Sequence, residues 1–169
     1  MSSPEGAHQR SPAAAHYERK RPGALTKLFN DMVAALTRAG LSIRGSRVLE
    51  VRGRKSGEPR RTPVNLLELE GERYLVAPRG DTQWVRNLRA AGEGTLLVGR
   101  RRDPFSAVEL SEQERAPILR EYLRRWAWEV GAFFDGVSAD SSERELQEAA
   151  SKHPVFRLRS GAAREGSVG

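Results

Sequence analysis

The sequence predicts an α+β domain of about six mainly antiparallel strands with peripheral helices, and three observations carry that expectation. Short runs rich in β-branched and aromatic residues recur at 47–51, 60–69, 73–77, 94–99, 105–110 and 154–159, the pattern expected of strands. The early runs are joined by short links with turn residues, at Glu70-Gly71 and around Asp103-Pro104, which suits hairpins better than parallel crossovers. Elsewhere the apolar residues repeat at the helical interval.

Met1 to Pro22 mixes Ser, Pro, Ala and Arg without a period and is expected to be a disordered arm in which His8 and His16 are solvated. The domain is expected over 23–160, with a tail over 161–169. Leu25, Leu28, Phe29, Met32, Val33 and Leu36 give the stretch from Ala24 to Arg38 one apolar face. It predicts a helix packed on the domain; a membrane-surface helix is the rival reading, favoured by Lys27 and Arg38 and opposed by Asp31.

Between the third and fourth strands, Asp81 to Ala91 reads as a short helix with Trp84, Val85 and Leu88 on one side and Asp81 or Thr82 as cap. Ser111 precedes Glu114 in the spacing of a capping box. Ile118, Leu119, Tyr122, Leu123 and Trp126 continue that helix, with Trp128, Phe133 and Phe134 beyond it. Residues 141–152 predict a further helix.

Among these elements the chemistry gathers at Gly53-Arg54-Lys55-Ser56-Gly57-Glu58-Pro59-Arg60-Arg61. Gly53, Gly57 and Pro59 favour a tight bend. Four cations, a serine hydroxyl and free backbone N–H groups suit an anion. The loop is no Walker motif, because the spacing is wrong and a strand follows it. Ala77-Pro78-Arg79-Gly80, ahead of the short helix, is a second place where N–H groups and a cation can meet an anion.

Charge points the same way. Lys and Arg number 29 against 22 acids, giving +7; residues 1–102 hold 20 bases and 10 acids, and 103–169 hold 9 and 12. Such a field favours an acidic ligand, nucleic acid or anionic membrane. Nucleic-acid binding is the weakest of these, since few aromatics interleave with the basic clusters. Cysteine is absent, which excludes disulfides, zinc–thiolate sites and thiol catalysis. With no apolar signal core in the first 22 residues and no run of about 20 apolar residues, the expected location is cytoplasmic. Contact with the inner face of a membrane stays open.

Val48 to Val51, the Gly53 to Arg60 loop, Thr62-Pro63, Tyr74-Leu75-Val76-Ala77, and Trp84 followed by Asn87-Leu88-Arg89 together resemble the deazaflavin (F420)-dependent nitroreductase and quinone reductase family. The resemblance implies a split β-barrel like that of FMN-binding proteins. It implies hydride transfer from reduced coenzyme F420 to a quinone, nitroaromatic or similar electron-poor acceptor. Carried over by position, Arg54, Lys55, Ser56 and Arg60 would hold the coenzyme's phosphate and acidic tail, with Gly57 and Pro63 beside them. Ala77, Pro78, Arg79 and Gly80 would line the deazaflavin, and Trp84 and Asn87 would close the pocket.

The chain departs from the family pattern: many relatives carry a longer, Gly-rich or Lys-containing stretch before this Trp and a Tyr after it, whereas here the stretch is short and Val85 follows Trp84. Relatives also place a C-terminal Tyr near the substrate, for which Tyr122, Trp126, Phe133 and Phe134 are the candidate pocket wall. Those aromatics can equally form a second core or a dimer contact. His153 has the range for proton donation, but a structural or exposed role is the expected one. Arg100-Arg101-Arg102 is expected at a solvated hairpin tip, with extension of the acidic-tail groove as the alternative. Rival functions are an FMN-loaded barrel and a nonenzymatic cofactor carrier; monomer and homodimer both stay open.

Overall fold

The computed structural model describes residues 46–161. The arm expected at 1–22, the helix expected at 24–38 and the tail beyond Gly161 lie outside the described residues. In chain order these hold β1 (Ser46–Arg52), β2 (Pro59–Leu69), β3 (Glu72–Val76), α1 (Gln83–Ala91), β4 (Glu93–Val98), β5 (Arg101–Glu109), α2 (Glu112–Val130), a 3-10 turn (Gly131–Phe133), α3 (Glu143–Ala150) and β6 (Val155–Ser160). The strands close into a barrel in the order β1-β2-β3-β6-β5-β4. Every neighbouring pair is antiparallel.

Three pairings are hairpins between strands adjacent in sequence, as the short links require. The others are non-local: β4 returns to β1 with Leu96 opposite Leu49, and β6 enters between β3 and β5. This antiparallel order puts the β1–β2 loop and the end of β3 at one pole of the barrel. The β2–β3 and β4–β5 turns lie at the other.

Two apolar clusters hold the fold. Leu49, Val51, Leu66, Leu75, Phe105 and Phe156 fill the barrel and receive Val85 and Leu88 from α1. On the outside, Leu67, Tyr74 and Val155 of the strands pack under Leu119, Tyr122 and Trp126 of α2, with Leu146 of α3. Strand β2 serves both clusters, so Val64 to Leu67 are buried without alternation, as expected of a strand covered on both faces. The helix starts are set by side chains: Glu114 accepts from the Ser111 N–H at 2.9 Å, and Glu145 from the Ser142 N–H at 2.8 Å, two capping boxes.

One expected turn is corrected. Asp103-Pro104 lies inside β5, opposite Leu96 and Thr95, and the chain reverses instead between Val98 and Arg101, where Gly99 has φ +58°. Proline is tolerated because β6 ends at Ser160 opposite Phe105; beyond that point the Pro104 carbonyl is used, accepting from the Gly161 N–H at 2.9 Å. Among the described residues no helix is long and apolar enough to cross a membrane.

Candidate functional site

The β1–β2 loop is a closed bend. The Gly53 N–H donates to the Glu58 carbonyl and the Gly57 N–H to the Gly53 carbonyl, both at 2.8 Å. Ser56 Oγ accepts from the Glu58 N–H at 3.3 Å. A Cβ at Gly53 would meet Ser56 Oγ at 2.9 Å and the Glu58 carbonyl at 3.2 Å, so only glycine lets the bend close this tightly. Lys55 and Arg52 are exposed and make no hydrogen bond or ion pair among the described residues. Arg60 reaches Glu58 at 3.8 Å with both side chains largely in solvent, a contact too screened to hold it. The loop thus presents cations on a rigid frame.

Arg54 is placed differently from its neighbours. Its Nη1 donates to Gln83 Oε1 at 2.8 Å and to Asn87 Oδ1 at 3.1 Å, and its backbone N–H also donates to Asn87 Oδ1, at 3.2 Å. The loop is thereby fastened to α1. Asn87, assigned to the pocket by resemblance, is buried at this junction.

The segment leading into α1 packs on the start of β6. The Ala77 N–H donates to the Pro154 carbonyl at 2.9 Å, and the Gly80 N–H to the Ala77 carbonyl at 3.0 Å. Gly80 has φ +72°, and a Cβ there would stand 3.1 Å from the Lys152 carbonyl, which demands glycine on both counts. Asp81 is held below the usual carboxylate range by Arg86 and then Arg89. Thr82 Oγ1 is buried with no hydrogen-bond partner. Trp84 is half-buried against Phe156, ring centroids 6.0 Å apart.

His153 sits beneath this segment. It is 5 % exposed, stacked on Phe134 at 4.0 Å, with Nδ1 3.3 Å from the Ala77 carbonyl. A carbonyl can only accept, so Nδ1 carries the proton. Burial lowers the pKa below the ordinary histidine value, partly offset by the Ala77 carbonyl. In the unfolded chain the group titrates at about pH 6.5; stability is therefore full above that pH and falls as the pH drops towards the lower folded value. Tm recorded from pH 7.5 to 5 should decline in the wild type and decline less in His153→Gln. Equal slopes would show that His153 does not govern this window.

The aromatic candidates separate into two groups. Tyr122, Trp126 and Phe134 are consumed by the core at 1 %, 3 % and 1 % exposure, and burial raises the Tyr122 hydroxyl pKa. Only Phe133 of the four keeps a large exposed face, with the Arg79 guanidinium 5.3 Å from its ring centroid. The structure therefore brings the exposed face of Phe133 against Arg79 of the 77–80 segment, while Phe134 reaches that segment through His153. Pro63 stands opposite Val48, on the face of β2 opposite to Arg60 and Thr62. Arg100, Arg101 and Arg102 fall at the far pole.

Two open cavities lie away from the loop. One, of about 530 Å³, is lined by Gly71, Arg73, Arg101, Asp103 and Arg159; the other, of about 460 Å³, by Phe134, Asp135, Glu145, Glu148 and His153. Sequence reasoning missed one polar network entirely: Arg89 grips Glu109 at 2.6 and 2.8 Å and Asp81 at 2.5 Å, and Glu109 also meets Arg115 at 3.2 Å. These charges lie on separate elements, so no local spacing reveals them.

The family model described as F420H(2)-dependent quinone reductase matches residues 27–132, more than half of the chain. A search of curated proteins finds no match. Among solved structures, the F420-H2 dependent reductase FDR-A is 22% identical, covers 69% of this chain and 95% of its own, and superposes with a TM-score of 0.50; it shares the fold. The protein Rv2991 from Mycobacterium tuberculosis is 17% identical over 82% of this chain and 93% of its own, TM-score 0.43. A candidate pyridoxamine 5'-phosphate oxidase from Listeria innocua is 12% identical over 80% and 94%, TM-score 0.48.

Proposed function

The chain belongs to the F420H(2)-dependent quinone reductase family, and on that premise we propose that its β1–β2 loop and the segment entering α1 hold the coenzyme between them. It is an enzyme that uses coenzyme F420 and reduces quinone-like acceptors. The reduced deazaflavin supplies a hydride when bound; what remains for the protein is to grip the coenzyme, present one face of the ring and keep water away.

The observation that carries the reading is the pairing of free cations with a closed, glycine-dependent bend. A ligand bearing a phosphate and an oligoglutamyl tail matches Lys55 and Arg60, with Gly57 and Ser56 shaping the loop. The orphaned Thr82 Oγ1 and the acid-neutralising contacts of Asp81 fit an anionic guest near the α1 N-terminus. Ala77, Pro78, Arg79 and Gly80 would line the ring, supported from below by His153. Burial favours the neutral form of that histidine, and its Nδ1 faces the Ala77 carbonyl, which suits a prop beneath the segment. Trp84 would border the pocket, and Phe133 beside Arg79 is the aromatic best placed to meet the acceptor.

The test is anaerobic mixing of reduced F420 with a panel of quinones, following the return of the oxidised deazaflavin's absorbance. Acceptor-dependent oxidation supports the reading. Tight binding without turnover would point to a carrier, and turnover only with FMN would overturn the coenzyme assignment.

A further inference from the structure

We infer that Asn87 is a positioning residue: its side-chain oxygen fixes the basic loop to α1 through Arg54, and Arg54 acts as a crossbar within the protein instead of a ligand to the anion. The inference rests on the coenzyme reading above but concerns the unliganded chain first.

Asn87 Oδ1 accepts twice, from the Arg54 N–H at 3.2 Å and from Arg54 Nη1 at 3.1 Å. The first bond seats the backbone of the loop and the second seats the Arg54 guanidinium, so one atom fixes both the position and the orientation of residue 54. Gln83 Oε1, one turn earlier on α1, takes Nη1 as well at 2.8 Å; Gln83 and Asn87 are four apart and share a helix face. Residue 87 is 6 % exposed and its helix neighbours Val85 and Leu88 are in the barrel core. The acceptor therefore stands on the part of α1 packed against the barrel core, and a buried acceptor that loses its donors bears the full desolvation cost.

The consequence is register. Residues 77–82 enter α1 directly, while Lys55 and Arg60 flank the loop that Asn87 holds. A coenzyme gripped at one end by the loop and at the other by the 77–80 segment needs those two parts at a fixed separation, and the Arg54–Asn87 contact spans them. Preorganisation of this kind lowers the ordering cost of binding. The cations of the loop thereby take different roles, Arg54 holding the frame while Lys55 and Arg60 remain for the ligand.

The experiment compares wild type, Asn87→Leu and Asn87→Asp. Aspartate keeps an oxygen in place for both Arg54 donors; leucine keeps the volume and removes it. In the protein without coenzyme, hydrogen exchange at the Arg54 amide should accelerate about tenfold or more in Asn87→Leu and stay near wild type in Asn87→Asp. Titration with oxidised F420 should then show about tenfold weaker binding for Asn87→Leu than for wild type. Unchanged exchange in the leucine variant would overturn the inference. So would an aspartate variant in which the amide exchanges as fast as in leucine, because an oxygen at this place would then not hold the loop. If no variant, wild type included, binds F420, the coenzyme reading fails while the exchange data still decide the clamp.

Discussion

Changing Lys55 and Arg60 together to alanine is expected to weaken F420 binding about a hundredfold, since charge-assisted hydrogen bonds to an anion contribute about 1.5 kcal/mol or more apiece. Neither side chain supports the fold. Lys55 has no partner among the described residues, and Arg60 has only the distant Glu58 contact, so Tm should be unmoved. Titration with oxidised F420 at two ionic strengths reads the result: the wild-type affinity should fall with added salt, and the double variant should lose most of that dependence. Arg101→Ala supplies the contrast. It changes the charge equally per residue but at the far pole, beside Arg73 and Asp103, and should leave the dissociation constant alone. If the double variant binds within twofold of wild type, the anion site is elsewhere.

A different kind of loss is expected at Arg115. This guanidinium is 8 % exposed and donates to the Leu110 carbonyl at 3.0 Å, the Ala150 carbonyl at 2.9 Å and Glu109 at 3.2 Å. It joins the end of β5 to the C-terminus of α3. Alanine would strand two buried carbonyls and leave Glu109 with Arg89 alone, a destabilisation of about 3 kcal/mol and a fall in Tm of about 10 °C. Lysine should recover only part, as a point donor cannot serve three directions. By comparison Arg124→Ala removes an exposed pair with Glu121 one turn away and should cost less than about 0.5 kcal/mol. A thermal scan that finds the two alanine variants alike would refute the ranking.

How far the sequence could be read follows from the range of each interaction. Among the described residues the strands and helices, apart from the early start of β5 at Arg101, lie close to their expected spans because each depends on periodicity and on punctuation within a few residues: Ser111 with Glu114, Gly92 after Ala91, Gly71 after Glu70. The family resemblance supplied the barrel, and the structure has one. Local pattern alone does not say that β4 returns to β1 or that β6 enters between β3 and β5. Periodicity identifies a strand's buried face and leaves its neighbour open.

The same limit divides the site. Gly53, Gly57 and the cations announce an anion loop because they are consecutive. That Asn87 holds Arg54 depends on a contact spanning 33 positions, and the burial of Tyr122, Trp126 and Phe134 depends on helices folding over β2 and β3. An aromatic cluster at helical spacing is equally the signature of a pocket wall and of a core, and only the packing separates the two.

Closure of the described strands has a bearing on how copies of this chain can meet. A sheet that wraps fully onto itself offers no open rim of N–H and C=O groups for a foreign strand to join, so recruitment by strand addition is denied to this barrel. Within the described residues, contact between two protomers would use side chains on the outer surface, and exposed positions such as Trp128 or Val108, not strand backbones, are where such contact could be tuned.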